Sequence, residues 1–445
     1  LKVGFKVFGD RTFNYGLEKC LAFSKYKAEP VTEKTAKYYD VILCSVWWWQ
    51  HIYDFIRFCY DAGIGYKREK PHVIVGGFNT FNPYVLLPWA HTVYCGDGEY
   101  AVDNLIESAL SPGKPIPGVW RDGYAEWQSV PLDKDQYSYE DKEANVTRIE
   151  IARGCKYRCR FCQIAHLKPY REVPYEMLRD EMGKVKTKRT ALFAPERTLH
   201  SEWNKIKQLP SEFGTTDVGS DVRFSNILDF DTGTPHFGLE GLSERLRSYV
   251  GKPIKNDDIK TTIEAMLAQG RTSMLGYVIL DLPGETEDDW AEFRTLLDEL
   301  EDVPMIEHFT WIVCPNVFMP CPHTPLEREA VHYERNYRAR WRKFIRDYYG
   351  PHDRKLTLMG RFRVFSEFSR VMSLIATRGD EQAQQILFNI ATNKDLRKWL
   401  QGRSGMKLAG LREMIGQNNI EKYCGEPETM PWKGVKVEVE ARKMP

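Results

Sequence analysis

The sequence predicts an α/β protein in three parts: a front parallel-sheet domain over 1–140, a central partial (β/α)6 barrel over 141–326 and a helical C-terminal extension over 327–445. Three observations carry this expectation. Short β-branched runs alternate with helical stretches from the first residues, the alternation resumes after a proline- and glycine-rich interval, and beyond Pro325 the chain turns into helical segments dense in charge and aromatics. With 445 residues, 42% of them hydrophobic, the chain can bury a sizeable core divided over two or three domains.

In the front part, strand-like runs at 3–8, 41–46, 73–75 and 92–94 are separated by helix-like sequence such as 52–62. Strands alternating with helices imply a parallel sheet whose ligand-binding rim lies at the carboxyl ends of the strands. The sequence sets Gly9-Asp10, Ser45 with Trp47, Trp48 and Trp49, Gly76-Gly77-Phe78 and Gly96-Asp97-Gly98-Glu99 on that rim. Residues 111–144, rich in proline, glycine and charge, read as a linker or wrapping segment. Six further strands are expected at 148–152, 191–193, 215–218, 236–239, 274–280 and 309–313, followed by helices at 327–349 and 362–377. No repeat at solenoid periods and no low-complexity tract is present.

A formal charge of +1 gives no general attraction to nucleic acid or to an anionic membrane, so any such binding must come from a local patch. No apolar stretch reaches the roughly 18 to 20 residues of a membrane-spanning helix, and the first residues lack a signal-peptide pattern; the chain is expected to be soluble and cytoplasmic, with no membrane partner.

Ten cysteines in such a chain read as thiols and metal ligands rather than as a disulfide framework. Cys20, Cys44, Cys59 and Cys95 are scattered as small buried hydrophobes are. Ligand spacing occurs at Cys155, Cys159 and Cys162, a C-x3-C-x2-C pattern in a glycine-containing loop directly after a strand. A [4Fe–4S] cube normally takes four cysteines, so three close ones leave one iron open to a small molecule. The alternatives are three structural thiols or half of a zinc site, for which a second C-x2-C pair is expected downstream.

With Phe161 as the aromatic of C-x3-C-x-Φ-C, the motif resembles the signature of the radical S-adenosylmethionine (SAM) superfamily. Gly238-Leu-Glu240-Gly-Leu-Ser243-Glu-Arg245 is similar to that superfamily's fourth-strand segment, and 274–286 to its fifth, with Asp281 in place of a glycine. Residues 314–325 resemble a proline-rich exit segment, in which Cys314 and Cys321 either pack or hold a second cluster. The resemblance implies that Cys155, Cys159 and Cys162 ligate a [4Fe–4S] cluster whose open iron takes the methionine end of SAM, giving a 5′-deoxyadenosyl radical on reduction. It places Phe161 near the adenine and assigns SAM contacts to Glu240, Ser243 and Arg245, and to Glu196 in Ala194-Pro195-Glu196-Arg197. Taken alone, 243–247 is equally a solvated helix start, with Arg245 in an ion pair. The same resemblance implies a low-potential electron donor of the flavodoxin or ferredoxin type.

The front rim resembles the cobalamin-binding domain that precedes the barrel in one branch of the superfamily, which implies a Rossmann-like fold and cofactor contacts from Ser45, Trp47, Trp48, Gly76, Gly77, Gly96, Gly98 and Glu99. Glycines there let backbone approach a flat macrocycle, and an aromatic can cover its lower face. An Asp-x-His-x-x-Gly motif is absent, so cobalamin bound here would lack that histidine ligand. The expected reaction is cobalamin-dependent methylation of an unactivated carbon. The alternatives are a cobalamin-independent radical isomerase or modifier of a nucleobase or nucleotide, and a catalytically silent nucleic-acid-binding protein with a structural cluster. Residues 334–349 interleave cations with aromatics, a pattern shared by helices that follow nucleic acid and by amphipathic helices whose aromatics are buried.

Overall fold

The computed structural model describes residues 1–9, 16–65, 70–111, 113, 115–132, 137–209, 224–229, 234–350, 353–360, 367–394 and 408–437. The described residues of Leu1–Tyr139 and Phe368–Arg442 form one compact unit, and those of Glu140–Glu367 form the second.

In the first unit, strands β1 (Val3–Val7), β2 (Ala28–Pro30), β3 (Val41–Ser45), β4 (His72–Gly76) and β5 (Thr92–Val93) make a five-stranded parallel sheet in the order β2-β1-β3-β4-β5. Helices α1 (Gly16–Ala22), α2 (Trp49–Asp61) and α3 (Val102–Leu110) connect and cover it. β3 is buried along its whole length, as a central parallel strand covered on both faces must be, and its sequence Val-Ile-Leu-Cys-Ser is correspondingly apolar. Phe8, just after β1, meets Phe55 and Phe58 of α2 edge-on at 6.2 and 6.1 Å. The four expected front strands are present; β2 escaped notice because it is three residues long, ends in proline and lies at the sheet edge.

The second unit contains β6 (Val146–Glu150), α4 (Gln163–Leu167), β7 (Arg189–Phe193), β8 (His236–Glu240), α5 (Glu244–Tyr249), α6 (Asn256–Ala268), β9 (Ser273–Leu280), α7 (Glu287–Leu300), β10 (Thr310–Val317), α8 (Tyr337–Tyr349) and β11 (Thr357–Gly360). β6 and β7 pair in parallel, and β8-β9-β10-β11 form a second parallel sheet. The strand expected at 215–218 lies outside the described residues. β11 was not expected: of its four residues only Leu358 is buried, so it leaves no apolar run.

α8 starts ten residues later than the helix expected at 327–349, because Asn336 caps it by accepting the Ala339 N–H at 2.8 Å. Three of its aromatics face inward, Tyr337, Trp341 and Tyr348 joining Trp290, Phe293 and Trp311 in the core, whereas Tyr349 is exposed. Arg340 lies 4.2 Å over the Trp290 ring and pairs with Glu287 at 2.8 Å. The buried-aromatic pattern is therefore the one this helix follows.

The segment after 326, expected as one extension, is divided between the units. α8 and β11 stay with the second unit, whereas α9 (Glu367–Arg378), α10 (Ala383–Thr392), α11 (Leu408–Ile415) and α12 (Gln417–Cys424) lie almost wholly in the first. α9 is buried on every side, and such a helix requires packing partners all round. The front sheet's loops and helices supply them. Tyr53 donates its hydroxyl to the Met372 carbonyl at 2.8 Å, Asn82 donates to the carbonyls of Thr377 and Gly379 at 3.1 and 2.8 Å, and Trp89 stacks on Phe388 of α10 at 5.3 Å. The short strand Val435–Lys436 pairs with Ala125–Glu126 inside the interval expected as a linker. No helix among the described residues is long and apolar enough to cross a membrane.

Trp341 is completely buried at the centre of the second unit's core. Trp341→Ala is expected to cost about 3–5 kcal/mol through lost transfer energy and a residual cavity, read from the urea midpoint; a loss under about 1 kcal/mol would contradict this packing.

Candidate active site

At the carboxyl end of β6, Arg153 grips Glu150 through two parallel hydrogen bonds, Nε to Oε1 at 2.7 Å and Nη2 to Oε2 at 2.6 Å, with both side chains buried. The chain then turns at Gly154, whose φ is +77°; a Cβ there would stand 2.5 Å from the Pro169 carbonyl oxygen. Cys155, Cys159 and Cys162 follow, none in a disulfide, Cys159 buried and the other two half-buried. The Cys162 N–H bonds the Cys159 carbonyl at 3.0 Å, the Arg160 N–H bonds the Val250 carbonyl at 3.1 Å, and His166 Nε2 donates to the Cys159 carbonyl at 3.1 Å. The Tyr157 amide bonds the Cys155 sulfur, and the amides of Ile164 and Ala165, at the start of α4, bond the Cys162 sulfur.

The three thiols interact electrostatically with one another, Cys155 also with Glu196 and Cys162 also with Lys252. Burial pushes the Cys155 thiol up to about 12 and raises Cys162 as well, so iron binding must displace their protons. Among the described residues no three His, Cys, Asp or Glu side chains close on a single ion. A cubane cluster is wider than one ion, so the sulfurs that hold it stand farther apart than the ligands of a mononuclear site. Three thiols in one loop, with backbone N–H donors aimed at two of the sulfurs, fit a [4Fe–4S] cluster with one open iron.

A clamp sits beside the loop. Lys156 reaches Glu172 at 3.0 Å and the Leu199 carbonyl at 2.9 Å, while Tyr170 and Ser201 donate their hydroxyls to Glu172 at 2.7 and 2.6 Å. Partial burial pushes Glu172 up, but the hydrogen bonds from Ser201, Tyr170 and Lys156 overcome it and hold the carboxyl at about 2 against an ordinary 4.5. Glu196, buried, accepts from the Thr198 amide and hydroxyl at 3.1 and 2.6 Å, which caps the turn Arg197–Leu199.

Glu240 ends β8 at a register break, with φ at +67°, and its buried carboxylate pairs with Lys252 Nζ at 2.6 Å. Lys252 also reaches the Gly238 carbonyl at 3.3 Å and lies 5.9 Å over the Phe161 ring. Phe161 packs with Leu246, Val250, Leu282, Phe318 and Leu326. Ser243 is fully buried; it caps α5 by accepting the Leu246 N–H at 3.2 Å and donates its hydroxyl to Asp289. Arg245 pairs with the same Asp289 at 2.5 Å and bonds the Gly284 carbonyl at 2.9 Å. Ser243 and Arg245 thus converge on one carboxylate, while Glu240 is held by Lys252 beside the cysteine loop.

Two features of this edge, the roles of Lys252 and Asp289, escaped the sequence. Lys252 stands over Phe161, and its sequence cue was its place in Val250-Gly-Lys252. Asp289 accepts the Thr286 amide at 2.8 Å in a capping box at the start of α7. Asp281 takes a left-handed φ of +63°, standard for the glycine expected there, and its carboxylate meets His332 Nδ1 at 2.8 Å and Arg335 at 3.8 Å. The Asp281 amide donates to Glu285 at 2.8 Å, and burial pushes Glu285 up to about 6. Cys314 is buried on β10, and half-buried Cys321 contacts the Met319 carbonyl at 3.6 Å.

On the front rim, Ser45 ends β3 opposite Gly76. Trp47 and Trp48 are 42% and 39% exposed, with ring centroids 6.0 Å apart, whereas Trp49 is buried. Gly77 and Gly96 serve the chain itself: with φ at +109° and +142°, a Cβ at either would stand 2.6 Å from a carbonyl oxygen, of Val46 and Gln128 respectively. Gly98 lies against the Cys20 sulfur, and buried Glu99 pairs with Lys19 at 3.0 Å. Gly76, by contrast, would place a Cβ more than 4 Å from any atom of the described residues. Asp10 lies outside the described residues.

Residues 149–297, which span the cysteine loop, Glu240 and the end of β9, match the profile of the Radical SAM superfamily. They are a radical SAM domain. Over 192 residues the chain is 28% identical to the uncharacterized protein MJ0966 of Methanocaldococcus jannaschii, covering 41% of this chain and 42% of that protein, so it spans less than half of that relative. The fold is also similar to the solved structure of the cobalamin-dependent S-adenosylmethionine radical enzyme OxsB with aqua-cobalamin bound, at a TM-score of 0.45 and 14% identity over 90% of this chain and 70% of that one. At that TM-score the likeness says nothing about what this chain binds.

Two outcomes test the radical SAM domain's local electrostatics. Lys252→Met leaves the buried Glu240 carboxylate without its cation and is expected to cost about 3–5 kcal/mol in urea denaturation, whereas a loss below about 1 kcal/mol would contradict the pairing. For Glu172, whose folded value is depressed, the contribution is full above 4.5 and is lost as the pH falls toward about 2. The difference in unfolding midpoint between wild type and Glu172→Gln should therefore be constant above that window and close within it; a constant difference throughout would contradict the clamp.

Proposed function

We propose that this radical SAM enzyme binds a [4Fe–4S] cluster through Cys155, Cys159 and Cys162, cleaves SAM to a 5′-deoxyadenosyl radical, and uses cobalamin in its front unit to methylate an unactivated carbon. The observation that carries the radical half is the loop itself: three reduced thiols at the carboxyl end of a parallel strand, two of them receiving backbone N–H bonds. When bound, the cluster supplies the electron that breaks the sulfur–carbon bond of SAM. The protein's own part is to hold and enclose. Phe161 supplies an apolar wall, and Lys252, between Glu240 and Phe161, supplies a cation suited to a carboxylate such as that of the methionine moiety. Asp289 fixes Ser243 and Arg245 at the neighbouring helix start. Electrons come from a low-potential donor of the flavodoxin or ferredoxin type.

The methyl-transfer half is supported by the half-exposed Trp47–Trp48 pair and by Gly76, where a Cβ would meet no atom of the described residues within 4 Å, both at the carboxyl edge of a parallel sheet. Cobalamin, when bound, supplies a methyl group to a carbon with no nucleophilic character. The residues of this edge that fit a flat macrocycle are the two tryptophans, Ser45 and Gly76.

One observation favours a cobalamin-independent modifier of a nucleobase or nucleotide: Gly77, Gly96, Gly98 and Glu99 are taken up by the chain's own packing. A single experiment separates the two. Anaerobically reconstituted full-length chain, incubated with hydroxocobalamin, reductant and SAM, should form 5′-deoxyadenosine and keep a corrin absorption through gel filtration. Formation of 5′-deoxyadenosine by corrin-free protein would leave the radical half standing and remove the methyl-transfer half. Cys155→Ala, Cys159→Ala and Cys162→Ala should each abolish 5′-deoxyadenosine formation; undiminished formation in any of them would remove the cluster assignment.

A further inference from the structure

The half-exposed indoles of Trp47 and Trp48 sit on a main chain that is gripped from two sides. His51, in the first turn of α2, is buried, and its Nδ1 accepts the N–H of Trp47 at 3.2 Å and of Trp48 at 3.3 Å. A ring nitrogen that accepts two N–H groups carries no proton, so the proton of the neutral imidazole sits on Nε2. Burial depresses the ring to about 4, which keeps it a neutral acceptor at ordinary pH. The Nε2 side is closed by Gly9: φ there is +74°, and a Cβ would stand 2.5 Å from Nε2. The ring thus fills the gap between the end of β1 and the start of α2.

On the other flank, Asn79 follows β4. Its side-chain amide donates to the Trp47 carbonyl at 2.5 Å, and its backbone N–H donates to the Val46 carbonyl at 3.0 Å. The Val46 amide in turn bonds the Gly76 carbonyl at 2.9 Å. Residues 46–48 are consequently tied to β4 through Gly76 and Asn79, and to α2 through His51. Two indoles held half in water beside the end of β4 forgo part of the burial that large aromatics ordinarily obtain. Holding such groups in place before a ligand arrives removes part of the ordering cost of binding.

We propose that His51 and Asn79 are positioning residues that preset Trp47 and Trp48 as a paired aromatic platform for a planar ligand at the carboxyl edge of the front sheet. This deepens the corrin assignment of that edge and rests on it for the identity of the ligand. The clamp itself is a property of the ligand-free chain. His51 acts as an acceptor rather than as a metal ligand, because its unprotonated nitrogen is already committed to two backbone donors.

The test uses full-length chain labelled with 5-fluorotryptophan, with the Trp47 and Trp48 resonances assigned by W47F and W48F, and hydroxocobalamin as the probe. In wild type each of the two indoles should give one narrow fluorine line. His51→Phe keeps the ring volume but removes the acceptor; it should broaden or split both lines and weaken hydroxocobalamin binding about tenfold, the equivalent of one to two lost hydrogen bonds. His51→Asn, which restores an acceptor, should recover narrow lines and most of the affinity, a rescue that loss of packing alone does not predict. Gly9→Ala should reproduce His51→Phe by displacing the ring. Should His51→Phe not fold, Asn79→Ala removes the opposite grip without touching α2 and is expected to disturb the Trp47 line. Unchanged lines and affinity in His51→Phe and Asn79→Ala would overturn the proposal. If wild type binds no hydroxocobalamin, the corrin assignment falls, and the fluorine lines alone decide the clamp.

Discussion

The cysteine loop has backbone pressed against backbone on two sides, and the rest of the candidate site depends on that contact. Gly154 leaves no space for a Cβ next to the carbonyl of Pro169, and on the far side the Arg160 amide is bonded to the carbonyl of Val250, with Gly251 against the backbone of Cys159. Main chain moves far less freely than side chains, so the three sulfurs are placed by the fold. The buried Glu150–Arg153 pair fixes where the strand stops and the loop begins. Because the loop leans on residues 250–251, which follow α5, any shift of β8 or α5 is felt at Cys159. Glu240, Lys252 and Phe161 are gathered by the same contact.

Both units use one architectural rule, in which parallel strands deliver their connecting loops to a common edge, and they spend that edge differently. In the radical SAM domain the carboxyl ends of β6, β8 and β9 carry the cysteines, Glu240 and Asp281, all close to other polar or reactive groups. In the front unit much of the edge is self-contained: Gly77, Gly96 and Glu99 are occupied by Val46, Gln128 and Lys19. Among the described residues of this edge, Trp47 and Trp48 stay half presented to solvent.

Features set by neighbouring residues were legible in the sequence. The three cysteines lie within one loop, the apolar runs of β3, β4 and β9 follow from burial on both faces, and the departure at Asp281 was visible as a missing glycine. Partnerships between distant residues were not legible, since they leave no periodic trace. Ser243 meets Asp289 across 46 residues and Asp281 meets His332 across 51, so nothing local marked Asp289 or His332. Ser243 and Arg245, read as cofactor contacts with an ion pair as the alternative for Arg245, share a tie to Asp289. The return of α9 and α10 to the front sheet escaped for a related reason: their apolar faces announce burial but not against what. α8 was ambiguous by composition alone, and only the packing showed that Tyr337, Trp341 and Tyr348 are core.

The central claim is that Cys155, Cys159 and Cys162 hold a [4Fe–4S] cluster with one iron left for SAM. Electron paramagnetic resonance of the reduced, anaerobically reconstituted full-length chain, recorded with and without SAM, tests it most directly. An iron–sulfur signal that changes shape when SAM is added, as the methionine amino and carboxylate groups enter the open iron's coordination, is the result expected. A signal indifferent to SAM, or no iron–sulfur signal at all, would contradict it.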